Sequence, residues 1–62
     1  MDAMEIQQQG AHARVRGEHM VANPYYKARN MPISTGESTA EWHEKASAWR
    51  SGWERENYRM ND

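Results

Sequence analysis

Small and apolar residues recur at alternating steps of three and four along the first third of the chain: Ala3, Ile6, Gly10, Ala13, Gly17 and Met20. That spacing puts them on one face of a helix. Asp2 and Glu5 stand at capping-box separation ahead of the pattern, an oxygen acceptor followed three residues on by an acid. Asn23-Pro24 stops it, because the residue before a proline is pushed out of the helical region. A helix is therefore predicted over about 3–22. A second seam reads Trp42, Ala46, Trp49, Trp53 and Met60, with Glu56 its one polar interruption. Ser38 with Glu41 opens this helix, Ser34 with Glu37 offering an earlier start, and it is predicted over about 38–59. Residues 23–37 between them contain Asn-Pro, Met-Pro and Ser-Thr-Gly and read as an irregular connection.

The two seams are complementary in size. One is a smooth Gly/Ala face and the other carries three indoles. A glycine inside a helix costs about 1 kcal/mol relative to alanine, which points to something large packed close to the backbone. Trp49 and Trp53 are expected to lie over Gly10, Ala13 and Gly17, Gly52 letting the chain come close beside them, with Trp42 further along the same seam. Tyr25 and Tyr26 are expected to fold back onto the open end. The predicted architecture is all-α: a single domain over 1–62, a two-helix antiparallel hairpin with a long irregular connection.

Composition changes this picture in one respect. There is no Leu or Phe, and only two Ile and two Val, against five Met, three Trp and eight Ala. So few branched aliphatics signal disorder only when net charge is large, and here it is −1. Tryptophan and methionine supply large buried areas at few positions. Ordering the chain still costs about 1.5 kcal/mol per residue. Two helices also leave part of three indoles uncovered, a surface that a homodimer or a protein partner would cover. Cysteine is absent, which excludes a disulfide framework, a thiol nucleophile and a cysteine-based zinc site. No apolar run approaches a membrane span or a signal-peptide core, so a cytoplasmic protein with no membrane contact is expected.

Charge is uneven. Residues 11–31 carry Arg14, Arg16, Lys27 and Arg29 against Glu18 alone, whereas residues 32–62 are acidic overall. A polyanion would sit on the middle of the chain. The candidate RNA-binding residues are Arg14, Arg16, Lys27 and Arg29 for phosphates, with Tyr25 or Tyr26 to stack on a base. His12, His19 and His43 lack metal-ligand spacing. The carboxylates and serines form no nucleophile–base arrangement. No enzymatic activity, metal or cofactor is expected.

Gly10, Ala13 and Gly17, then Pro24-Tyr25, and finally Trp49-Arg50-Ser51-Gly52-Trp53 form an ordered set spanning roughly residues 9–57. In this the chain resembles the ribosome modulation factor family, short bacterial proteins that bind the small ribosomal subunit and silence it in stationary phase. The resemblance implies a helical hairpin that binds rRNA or the ribosome and dampens translation. The chain departs from the family in two ways: residues 26–48 make a longer connection, and the net charge is slightly acidic where an rRNA binder is usually basic. The alternative expectation is a small protein–protein interaction module, such as a phage or mobile-element effector, docking on a single host protein through its Trp/Met surface.

Overall fold

Asp2 opens the first helix by accepting the Met4 amide at 3.0 Å, and Ser38 opens the last by accepting the Glu41 amide at 3.1 Å. Each satisfies one of the amides left without a partner at a helix start. The computed structural model describes residues 2–61, in which all regular structure is helical. Helix α1 runs Ala3–Val15, three 3-10 turns occupy Met20–Ala22, Pro24–Tyr26 and Ala28–Asn30, a single turn α2 covers Pro32–Thr35, and α3 runs Thr39–Met60.

Helix α1 stops at Val15, well short of Asn23-Pro24. Gly17 has φ +85°, its amide donates to the Arg14 carbonyl at 3.0 Å, and the Glu18 amide donates to the Ala13 carbonyl at 2.9 Å. This pair of bonds around a left-handed glycine is the Schellman ending, in which the last carbonyls of the helix find partners. Gly17 therefore terminates α1 and lies outside the packed face that the spacing assigned it to.

The core is Ile6, Ala13, Ala46, Ala48 and Trp49, with Met20, Tyr25 and Trp53 packed partly against it. Gly10 and Gly52 are both buried within this contact. A Cβ on Gly10 would overlap the Trp49 carbonyl, and one on Gly52 would overlap the Gln7 carbonyl. The small face of α1 thus receives the backbone of α3, where the sequence pattern had placed indoles over it. Trp49, only 3% exposed, fills the core beside this crossing.

The connection, residues 16–38, is more regular than expected, because polar side chains cap its short turns. Nδ1 of His19 accepts the Val21 amide at 3.3 Å, Oδ1 of Asn23 accepts the Tyr25 amide at 3.0 Å, and Asn30 donates to the Pro24 carbonyl at 2.8 Å. It is also tied to α3 along its length. Trp53 Nε1 donates to the Glu18 carbonyl at 2.9 Å, Asn23 Nδ2 to the Ala46 carbonyl at 3.1 Å, and Trp42 Nε1 to the Tyr25 carbonyl at 2.6 Å. As the connection advances, its partners on α3 step back from Trp53 to Trp42. Asn23, 2% exposed, is the buried pin of this arrangement, with both ends of its amide satisfied as burial demands. The molecule measures 40 × 19 × 13 Å; its long axis reflects α3, which at 1.5 Å per residue spans roughly 33 Å.

Candidate nucleic-acid interface

The end of α1 and the first turns of the connection border a groove of about 310 Å³, lined by His12, Ala13 and Arg16 from the one, Pro24 and Lys27 from the other, and Trp49 of α3. Arg16 reaches this groove because it follows the last helical residue, and Lys27 because it ends the Pro24–Tyr26 turn. Glu18 also lines it and pairs with Arg16 at 2.8 Å, both side chains being well exposed. Such an exposed pair contributes little stability, so Arg16 can be drawn to another anion at small cost. Lys27 and Arg29 are exposed, and neither lies in an ion pair with an acid among the described residues.

The other sequence-predicted residues sit elsewhere. Arg14 is held inside the fold: its Nε donates to Asn57 Oδ1 at 2.7 Å, and its guanidinium lies 5.7 Å from the centre of the Trp53 ring. It is absent from the groove lining. The Tyr25 ring packs against the core, and of the two tyrosines it is Tyr26 that stands exposed. Gly10, Ala13 and Trp49 are buried, whereas Trp42 and Trp53 are half-buried with their indole N–H groups bonded to the connection. Gly17 is exposed at the helix end. The indoles are therefore engaged internally, and the exposed large apolar side chains are others, among them Val21 at 79% and Ile33 at 95%.

A second concavity of about 310 Å³ lies on the other side of the Pro24–Tyr26 turn, lined by Met20, Val21, Asn23, Tyr26 and Arg50. Its surface is almost wholly apolar apart from the rim. The Tyr26 ring stands edge-on to Trp42, 5.5 Å between centroids and 83° between planes.

Sequence reasoning assigned no site role to Glu18, Arg50 or Asn23. Asn23 alone carried a signal, since an asparagine before proline is a common turn opener whose side chain can accept from the backbone two residues on. Among the described residues no group of three or more His, Asp or Glu side chains could hold a metal ion, and no helix is long and apolar enough to cross a membrane.

Comparison with known proteins adds no relative. No protein-family model matches the chain, and no curated protein or solved structure does so.

Proposed function

We propose that this chain is a non-catalytic, cytoplasmic binding protein that docks on rRNA of the small ribosomal subunit and dampens translation, as its resemblance to ribosome modulation factor implies. The observation that carries the reading is the convergence of Arg16 and Lys27 on one groove beside His12, with Arg29 exposed on the next turn. Phosphate oxygens would bridge Arg16 and Lys27, because basic side chains supply the contacts that dominate nucleic-acid affinity. The reading includes an antiparallel two-helix hairpin for α1 and α3. Its support is the pairing of Gln7 with Gly52 and of Gly10 with Trp49, in which advance along α1 meets retreat along α3.

The test is recovery of ribosomal subunits by the tagged protein from bacterial lysate, with and without ribonuclease, for the wild type and two variants. Subunits should be retained only without ribonuclease. Lys27→Glu with Arg29→Glu should lower retention at least tenfold with helicity intact. Glu18→Gln, which frees Arg16 from its intramolecular acid, should raise it severalfold. Retention unchanged by both variants would remove this groove from the reading.

A second reading is favoured by Val21 and Ile33, which stand almost fully exposed on the connection: a module that docks on a host protein through these side chains instead of its tryptophans. One stoichiometric non-ribosomal protein, recovered regardless of ribonuclease and lost on Val21→Asp or Ile33→Asp, would select it.

A further inference from the structure

We propose that the recess formed by Met20, Val21, Tyr26 and Arg50 receives one unstacked nucleobase, so that the RNA bound is single-stranded at this point; this rests on the RNA-binding reading above. The recess has the three parts that base capture uses: an apolar floor, an aromatic face and a planar donor at the rim. Met20, half-buried, supplies that floor, and Val21, 79% exposed, adds apolar surface beside it. Tyr26 is 53% exposed, and its edge-on contact with Trp42 sets the ring's orientation in advance. Arg50 brings N–H donors to the rim. Its pairing with Glu54 at 2.8 Å is exposed on both sides and leaves it readily diverted.

The lining offers few polar groups. Asn23 is 2% exposed and already donates to the Ala46 carbonyl and accepts from the Tyr25 amide, which leaves the Tyr26 hydroxyl and the Arg50 guanidinium as the lining side chains that can meet a ligand's polar atoms. What enters must therefore present an apolar, flat body and meet its polar partners at those two groups. At about 310 Å³, the recess falls at the bottom of the roughly 300–1,000 Å³ range of small-ligand sites, suited to one ring system and too small for a helix face.

Charge selects the occupant further. No acid lines the recess, and the same short turn that closes it carries the basic groove on its other side: Pro24 and Lys27 face the groove, while Asn23 and Tyr26 face the recess. A ligand combining a flat apolar ring with a neighbouring anionic group, spaced to straddle one turn of backbone, is a nucleotide within a strand. A phosphate on Lys27 would then direct the adjoining base over the turn and onto Tyr26.

The experiment is fluorescence anisotropy with short single-stranded oligoribonucleotides, the same strands carrying one abasic position, and a duplex of the same sequence. The proteins are the wild type, Tyr26→Phe, Tyr26→Leu and Val21→Asp, with circular dichroism confirming that each folds. The single strand should bind in preference to the duplex. Tyr26→Phe should retain affinity, and Tyr26→Leu should lose roughly tenfold or more, the usual consequence of deleting one base–aromatic stack. Val21→Asp, at a site too exposed to disturb packing, should weaken binding similarly. An abasic position should weaken the wild type but add nothing to the loss in Tyr26→Leu. Binding that depends on Lys27 yet is unchanged in Tyr26→Leu and Val21→Asp would overturn the recess proposal and leave the RNA reading standing. Absence of binding by every oligonucleotide would overturn both.

Discussion

Gly10, Gly17 and Gly52 look alike in the sequence and do different things. Gly10 and Gly52 each admit a backbone carbonyl of the opposite helix, and a carbonyl fixed in a helix cannot rotate aside. Gly17 has open space around the position of a Cβ and is needed for its φ of +85°. Alanine should therefore act by two mechanisms. At Gly10 or Gly52 it gains about 1 kcal/mol of helix propensity, but it forces the helices apart at their closest approach. Overpacking against a helix backbone that cannot yield should exceed the usual cost of about 3 kcal/mol, so that even after the propensity gain it removes most of the roughly 3–5 kcal/mol that a core of this size supplies. Gly10→Ala and Gly52→Ala should be largely unfolded, while Gly17→Ala should fold and lose only about 1–2 kcal/mol to left-handed strain. Urea titration followed by tryptophan fluorescence measures all three. A Gly10→Ala protein as stable as Gly17→Ala would mean that the helices do not meet there. The spacing of these glycines hides the distinction, since a packing glycine and a helix-ending glycine fit the same step of seven. The separating signal is local: Arg14 and Arg16 put positive charge in the last turn just before Gly17, a helix-end pattern.

At the scale of elements, the all-α class and the starts of α1 and α3 were legible because Asp2 and Ser38 act within three residues of themselves. The connection was not. Its order depends on Trp53, Ala46 and Trp42 meeting Glu18, Asn23 and Tyr25, contacts of 17 to 35 residues' separation that no local pattern encodes. The same limit applies to the candidate site. Arg14 and Arg16 are equivalent in composition, yet Asn57, 43 residues away, engages the first within the fold and leaves it only half-exposed. The last tether of the connection, Glu37 to Lys45 at 2.7 Å, has a pH signature. The hydrogen bond to Glu37 holds Lys45 above the ordinary lysine value of 10.5, partial desolvation opposes it, and attraction from the Glu37 charge adds to it. A folded-state value raised in this way means stability that is complete below the unfolded lysine's titration and is lost as pH rises through the folded one. The stability difference between the wild type and Lys45→Met should therefore be constant from neutral to mildly alkaline pH and close above the lysine range. A difference that persists there would assign the effect of Lys45 to packing of its aliphatic stem.

For the molecule as a whole, the net charge of −1 argues against a polyanion partner only if charge is averaged over the surface. Arg16, Lys27 and Arg29 belong to the end of α1 and the connection, whereas the exposed acids Glu41, Glu44 and Glu54 belong to α3. An RNA strand would then engage the connection, and the interaction would draw on few cations. Each phosphate neutralised on a single strand contributes about −0.7 to the slope of log K against log salt, so three contacts give a slope of roughly −2. Raising salt fourfold should lower affinity by roughly sixteenfold, far less than for a strongly basic rRNA binder. Anisotropy titrations over that range measure the slope directly. A slope near zero would place the attraction in apolar contacts and favour a protein partner. A slope of roughly −4 or steeper would require Arg50, Arg55 and Arg59 of α3 to take phosphates too, and the docking face would no longer be the connection alone. Lys27→Glu separates the remaining cases: at a slope of roughly −2 it should flatten the dependence by about 0.7, because one contact in three has gone, whereas substitution of Arg55 or Arg59 on α3 should leave the slope unchanged.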